Sequence, residues 1–391
     1  MAGLLDFAAR FGTEERCIEH LAGLRWPGGF VCSGCGGRVA WRLKARPRVY
    51  ECSTCHRQES VTAGTVFHRT RTDLMKWFLA AYLMGRDKRG VSAKFLQREL
   101  AVAYQTAWTM AHKLRHGLSE DPTRLLRGFL EADETFIGGR GDPTSSGRST
   151  ANPDKSLVVA AVEKVPAPKN KKGKHGHAVK RQHGFFAGNA RIAVLPAATG
   201  AQLGAFLKAN VAAQSHILTD GFAGYRGGDA GLGEHLKHTP VVQGEGANAG
   251  QFFPIIHTLF SNIKAWLVGT HHGVSAKHLP RYLREWSYRF NRRNLPDGLD
   301  GYLIRRAVEC ATITYDQLKT GTLPGGANRV RRRPAAVAQP ALVDKIIQMI
   351  PSAFEDFCEV SHRCEGTKRQ ICTTSWIGRW NRTPRRPKKN A

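Results

Sequence analysis

Apolar positions along the chain change period twice. In D-L-M-K-W-F-L-A-A-Y-L-M, residues 73–84, Leu74, Trp77, Phe78, Ala81 and Tyr82 recur at helical spacing and predict an amphipathic helix. After a break at Gly90, two more helical patterns follow at 91–100 and 102–115, joined by a short turn. The pair suits either a helix-turn-helix or an ordinary helical linker. In the first case Tyr104, Gln105, Thr106 and Thr109 open the second helix, where side chains reach base edges in a major groove.

From Gly128 the period shortens to that of strands, at 129–137, 156–163 and 185–195. A helix over 199–211 with Thr199 at its N-cap follows, then strands at 216–220 and 238–242, then a helix from Pro254 to Val268. Three strands followed by alternating helix and strand predict a mixed α/β sheet covered by helices. Between Glu163 and Gly184 lies a run rich in Lys, His and Gly, which reads as a loop tracking phosphates or as a solvated hairpin tip. Beyond Leu323 the composition turns basic, with one further helical pattern near 341–357 and a last dozen residues expected to be disordered in isolation.

Charge narrows the function. The 391 residues carry 59 Lys and Arg against 31 acids, a formal net charge of +28. Self-repulsion on that scale points to a polyanionic partner, and nucleic acid is the first choice over a membrane surface. No apolar run approaches the roughly 18 residues of a membrane span, and the first residues lack the pattern of a secretory signal. A cytoplasmic location, nucleoid-associated in a bacterial cell, is expected. With 41% hydrophobic residues the chain can bury sizeable cores in two or three domains.

Nine cysteines in such a compartment read as metal ligands or idle thiols. Cys32, Cys35, Cys52 and Cys55 form C-x2-C-x16-C-x2-C, two turns that each aim a pair of thiolates at one point. Four sulfurs close a tetrahedral shell around Zn2+, a structural site with no open position for chemistry. Cys17 reads as a core residue, and Cys358, Cys364 and Cys372, with His362, fit no common zinc spacing.

The segment E-A-D-E-T-F-I-G-G from Glu131 poses the chemical question, because it loads a buried strand with carboxylates. Alternation puts Glu131, Asp133 and Thr135 on one face and Ala132, Glu134 and Phe136 on the other. Asp220 waits at the end of another strand, in I-L-T-D-G-F. Carboxylates converging at one sheet edge would hold Mg2+ for phosphodiester chemistry; otherwise each acid pairs with one of the many arginines.

These segments carry a resemblance. The four-cysteine module, V-T-A-G-T-V-F-H-R-T-R-T (61–72), G-V-S-A-K-F-L-Q-R-E-L (90–100), T-A-W-T-M-A-H-K-L-R (106–115), E-A-D-E-T-F-I-G-G, T-D-G-F-A-G-Y (219–225), S-N-I-K-A-W-L-V-G-T-H-H-G (261–273) and Y-L-R-E-W-S-Y-R-F-N-R-R (282–293) occur in order. Over residues 15–300 the chain resembles the zinc-ribbon insertion-sequence transposases of the DDE type. The resemblance implies a ribonuclease H-like mixed sheet with flanking helices, preceded by a zinc ribbon and a helix-turn-helix. The division is then 1–27 helical, 28–60 ribbon, 61–125 DNA-binding helices, 126–323 catalytic domain and 324–391 basic extension.

It also implies that Asp133 and Asp220 are the first two catalytic acids and bind Mg2+ or Mn2+. The third acid of this enzyme type, usually Glu, sits seven residues before a Lys, so that both share one helix face. Here that Lys is Lys264, and the position seven before it is His257; Asn262 is the second candidate and Glu285 a possible substitute. Arg289, Asn291, Arg292 and Arg293 would clamp the DNA backbone. The enzyme would bind terminal repeats and target DNA as a homodimer or higher oligomer, cutting and then joining strands. The alternatives are a DNA-binding regulator descended from such an enzyme with a dead metal site, and a nuclease that cuts without joining.

Overall fold

The computed structural model describes residues 3–138, 155–166, 184–226, 235–241, 253–294 and 300–321. The expected helix at 341–357, the last three cysteines and most of the 164–183 insertion lie outside the described residues.

Two helices open the chain, α1 (Leu4–Phe11) and α2 (Glu14–Arg25), the latter capped by the Thr13 hydroxyl accepting from the Arg16 amide. A three-stranded antiparallel sheet follows, β1 (Ala40–Arg42), β2 (Val49–Cys52) and β3 (Gln58–Ser60); Cys32 and Cys35 lie in the turn ahead of β1, Cys52 ends β2 and Cys55 lies in the turn before β3. Next come α3 (Leu74–Arg86), α4 (Ala93–Glu99) and α5 (Tyr104–Gly117). Ser92 caps α4 through the Phe95 amide, and the turn into α5 passes through Ala101, at a left-handed φ of 48°.

The second layer is a five-stranded sheet in the order β6-β5-β4-β7-β8. Its strands are β4 (Phe129–Ile137), β5 (Ser156–Pro166), β6 (Phe185–Leu195), β7 (His216–Asp220) and β8 (Lys237–Val241). The first three pair antiparallel; β7 joins β4, and β8 joins β7, in parallel. Between β6 and β7 runs α6 (Gly200–Asn210), and after β7 the short α7 (Ala223–Arg226). The chain continues through α8 (Pro254–His271), α9 (Leu279–Asn291), α10 (Asp300–Glu309) and α11 (Tyr315–Thr320). This is the mixed α/β, ribonuclease H-like arrangement expected.

The interior strand β5 explains the layering. Its run S-L-V-V-A-A-V is buried throughout because helices cover both faces. Val158, Ala160 and Val162 pack against Ile256, Leu259 and Ile263 of α8 and Leu283 of α9. Val159 and Ala161 pack on the opposite side with Leu203, Phe206 and Leu207 of α6. A third core joins α1 through α5 to Leu303, Ile304 and Ala307 of α10, so the N-terminal helices close on a late segment. Gly90 fits this seam for a steric reason: a Cβ there would lie 2.6 Å from Trp266 Nε1, and its φ is 73°.

Buried charge fastens the same seam. Arg115 of α5 and Glu285 of α9, 1% and 0% exposed, meet with Nε 2.6 Å from Oε2. Arg289 reaches the other carboxylate oxygen at 3.0 Å and donates to the carbonyls of Asp87 and Met84 just beyond and within α3. Glu285 is therefore a structural anion: burial alone would raise its pKa, but Arg115 and Arg289 outweigh burial and hold it below the usual carboxylate value.

Histidines packed beside this seam make the fold acid-sensitive. Burial, with nearby arginines, pushes the pKa of His271 down to about 3 and those of His116 and His20 down to about 4. His112, with both ring nitrogens buried and no hydrogen-bond partner among the described residues, is pushed down further. The folded values lie below the unfolded one near 6.5, so unfolding takes up protons as pH falls below that value. Their neutral forms leave stability intact above pH 6.5 and erode it between 6.5 and about 4. At pH 5.5 each is expected to remove roughly 1 kcal/mol. Thermal midpoints at pH 7.5 and 5.5, at constant zinc content and ionic strength, should differ by many degrees; a flat profile would contradict this.

Candidate metal centres and nucleic-acid interface

In the N-terminal sheet the four thiols converge. The Sγ atoms of Cys32, Cys35, Cys52 and Cys55 all lie within 4.8 Å of one another. Cys32 and Cys55 stand 3.6 Å apart, as do Cys35 and Cys52. Four thiolates at about 2.3 Å from one zinc ion would be separated by about 3.8 Å, so the set fits Zn2+ as it stands. Backbone amides of Gly34, Gly37 and Thr54 point at Cys32, Cys35 and Cys52 from 3.4 Å, which favours thiolates. The amides of Cys55 and Thr54 bring the Cys52 thiol down to about 6, while Cys55, despite the Arg57 amide, is pushed up to about 12 by the neighbouring thiols and burial, as expected when clustered thiols compete to ionise. A Cβ at Gly37 would sit 3.1 Å from Cys52 Sγ and 3.3 Å from Cys35 Sγ, so glycine keeps the first knuckle this close to the other thiols.

Cys32→Ser is expected to lower zinc content below one equivalent and to melt the ribbon locally while the β4–β8 sheet persists. Metal analysis by mass spectrometry with hydrogen exchange checks this, and full zinc retention would contradict it. Cys17 is fully buried, as its position in the apolar pattern suggests, and burial pushes its thiol up to about 12.

Among the described residues only the four cysteines gather as a ready-made metal-ligand set; the second candidate site lies at the junction of β4 and β7. Paired positions on these parallel strands differ by 87 throughout, as in Phe129 with His216 and Glu131 with Leu218. Carried two residues past the last paired positions, the same register would set Asp133 level with Asp220 on one face, on neighbouring strands about 4.8 Å apart. That face is the one covered by α8. Asp133 takes its own neighbour's amide, with Glu134 N donating to Oδ1 at 2.8 Å. Asp220 Oδ1 accepts from Phe222 N at 3.1 Å. Both carboxylates are thus steadied by local backbone, Asp133 in the middle of β4 and Asp220 at the end of β7.

From α8, the imidazole of His257 approaches the same point, with Nδ1 3.9 Å from Asp133 Oδ2. This exceeds a hydrogen bond, yet a shared cation with ligand distances near 2.1 Å separates its ligands by about 3.0–4.2 Å. The donor set, carboxylate oxygens and one neutral nitrogen, suits a divalent ion such as Mg2+ or Mn2+. Burial lowers the His257 pKa, against the opposing pull of Glu131 and Asp220, which keeps the ring neutral and able to ligate. Two turns on, Lys264 Nζ donates to Thr135 Oγ1 at 2.8 Å, on the same face of β4. Burial lowers its pKa while Asp133 opposes the shift.

Other residues weighed on the sequence fall elsewhere. Asn262 is exposed and out of phase with His257 and Lys264 on α8. Glu285 is sealed at the helical seam with Arg115 and Arg289, so it is not a substitute ligand. The basic run of α9 also points inward. Arg289 is committed to Glu285 and two α3-side carbonyls. Asn291 bonds both N–H and C=O of Ala190, and Arg292 pairs with Glu120 at 2.9 Å over the Tyr288 ring. Arg293, although exposed, donates to the carbonyls of Gly188, Ala187 and Phe290. These four side chains join α9 to the sheet and to the helical layer.

Tyr104, Gln105 and Thr106 occupy the first turn of α5. Tyr104 is 50% exposed and Gln105 exposed, with Lys94 of α4 above the Tyr104 ring at 6.0 Å. That end of the helix pair presents aromatic, amide and cationic groups to solvent. Sequence reasoning passed over two contacts of the acidic motif. Tyr225 OH donates to Glu134 Oε2 at 2.8 Å, so the residue beside Asp133 is tied, across the sheet's other face, to the segment after Asp220. Glu131 is fully buried, with the α8 amides on Oε2 and Lys164 beside Oε1. The aromatic of T-D-G-F-A-G-Y was the available signal for the first, and nothing local signalled the second.

Residues 125–291 match the family model of the ISXO2-like transposase domain, and residues 12–58 match that of a transposase zinc-ribbon domain. The first span holds Asp133, Asp220, His257 and Lys264, and the second holds all four clustered cysteines. An uncharacterized protein in transposable element ISH50 of Halobacterium salinarum is 27% identical over 290 residues, 71% of this chain and 91% of that protein.

Proposed function

The chain belongs to the zinc-ribbon insertion-sequence transposases of the DDE type, and on that basis we propose that it cuts and joins DNA strands at a divalent-cation site built from Asp133, Asp220 and His257. What supports the proposal is the register of β4 and β7, which extended by two residues would set Asp133 level with Asp220, together with the 3.9 Å approach of His257 to Asp133 from α8.

A divalent ion bound there supplies Lewis acidity, which activates an attacking hydroxyl and stabilises a leaving oxygen. The protein's residues do the rest. Asp133 and Asp220 bring negative oxygen ligands to adjacent strands, and His257 contributes a neutral ligand where a third carboxylate is usual. Lys264, on the same helix face, is placed to meet a phosphate oxygen and orient the strand. In the first step water attacks phosphorus at the transposon end, and the bond to the 3′ oxygen breaks, freeing a 3′-hydroxyl. That hydroxyl then attacks a phosphodiester of the target, a new P–O bond forms, and the displaced target 3′-oxygen leaves with a proton.

Recognition of terminal repeats is assigned to the first turn of α5, through Tyr104, Gln105 and Thr106, together with the zinc ribbon. The net charge of +28 supplies the nonspecific part of DNA affinity. A homodimer or larger assembly follows from the chemistry, since two ends must be joined. Among the described residues no helix is long and apolar enough to cross a membrane.

Labelled terminal-repeat DNA, Mg2+ and a target plasmid test the proposal directly. Joined product is the expected result. Cleavage without joining would make the protein a nuclease, and salt-sensitive binding with neither would make it a regulator that has lost catalysis.

A further inference from the structure

The sequence E-A-D-E puts Glu131 two positions before Asp133 on the same strand face, yet the structure gives it different work. Its side chain is fully buried. Oε2 accepts the amides of Ile255 at 3.1 Å and Ile256 at 3.0 Å, and Lys164 Nζ of β5 lies 3.3 Å from Oε1. Oε2 is thus committed to the two amides, while Oε1 is buried without a hydrogen bond among the described residues and has the Lys164 ammonium beside it as an ion-pair partner.

The start of α8 shows why the contact matters. A helix leaves its first amides without intrahelical acceptors, and an N-cap Ser, Thr, Asp or Asn normally satisfies one of them. Here the N-cap is Phe253, which makes no side-chain cap bond, and Pro254 has no amide to offer. The next two amides bond to Glu131 instead, a carboxylate delivered from the strand that also carries Asp133. An anion at this end also matches the helix dipole. The residue directly after those two amides is His257.

We propose that Glu131 is a positioning residue that pins the first turn of α8 to β4 and thereby sets His257 against Asp133. The proposal rests on the reading of His257 as a ligand. The acids of the motif then have separate roles. Asp133 faces the cation, Glu134 bonds Tyr225 on the far side of the sheet, and Glu131 locates the helix that brings the nitrogen ligand.

Length and charge make different demands on Glu131, and this gives the test. Glu131→Asp keeps the charge but withdraws the carboxylate by one methylene; Glu131→Gln keeps the reach and an acceptor oxygen but loses the charge. Both are conservative, and circular dichroism with zinc analysis verifies folding. The probe is Mn2+ added to the full-length protein, read by electron spin-echo spectroscopy for nitrogen coupling, with His257→Ala identifying the His257 signal. The expected result is His257-dependent coupling in the wild type and in Glu131→Gln. In Glu131→Asp the coupling should vanish and Mn2+ affinity fall about 10-fold or more, the scale of lost support around a ligand. Coupling that persists in Glu131→Asp, or is lost in both variants, overturns the positioning role. A wild-type signal with no coupling that depends on His257 refutes the ligand reading first, and the role of Glu131 with it.

Discussion

Asp133→Asn and Asp220→Asn should each reduce strand joining by about 10^3-fold or more while leaving DNA affinity within about two-fold of wild type. The asymmetry follows from where the charge sits. Each substitution is nearly isosteric and retains one acceptor oxygen, so the local backbone bonds from Glu134 and Phe222 can survive. What is lost is an anionic ligand, and a metal's stabilisation of transition-state charge amounts to several kcal/mol, which corresponds to the rate loss stated. DNA affinity draws on a net charge of +28, to which one added positive increment matters little. Gel-shift titrations beside joining assays separate the two effects. Joining at wild-type rates in either variant would remove that aspartate from the site.

Glu285→Ala should lower stability by about 3–5 kcal/mol, the usual consequence of stranding buried partner charges. Arg115, 1% exposed, would keep only its bond to the Val91 carbonyl, and Arg289 its links to Asp87 and Met84. Because the triad bridges α5, α9 and the end of α3, the loss should loosen the helical layer against the sheet. Urea unfolding followed by tryptophan fluorescence measures it. The native contribution also has a pH sign: the folded pKa of Glu285 is depressed, so its stabilisation is present above the unfolded value and disappears as pH falls through the folded one. A shift below 1 kcal/mol would mean that the pair is replaceable by solvent.

The sheet was largely legible because its strands have simple patterns. The β5 run of small and branched apolar residues reads as a strand covered on both faces, and 129–137, 185–195 and 216–220 coincide with β4, β6 and β7. The ribbon was legible for a different reason, since cysteine spacing encodes ligand geometry locally. The late helices were harder. The role of α10 is set by partners about 190 to 300 residues upstream, through contacts such as Ala307 with the α1–α5 core, which no local period reveals.

The site divides in the same way. Asp133 sits within one recognisable strand and Asp220 ends another, and the seven-residue spacing of His257 and Lys264 fixes a common helix face. Arginines 289, 292 and 293 show the limit. A basic run on an amphipathic helix reads as a surface for phosphate, but burial of acids as distant as Glu120 decides where the guanidinium groups go. Glu131 shows it again, because its acceptor role depends on a helix that begins 123 positions later, at Pro254.

The most direct test of the divalent-cation site is anomalous diffraction from crystals of the full-length protein soaked in Mn2+. A site built as proposed requires a peak between Asp133 and Asp220 with His257 Nδ1 or Nε2 in its coordination shell. Manganese bound only elsewhere, with these three side chains making no contact to an ion at saturating concentration, would contradict it.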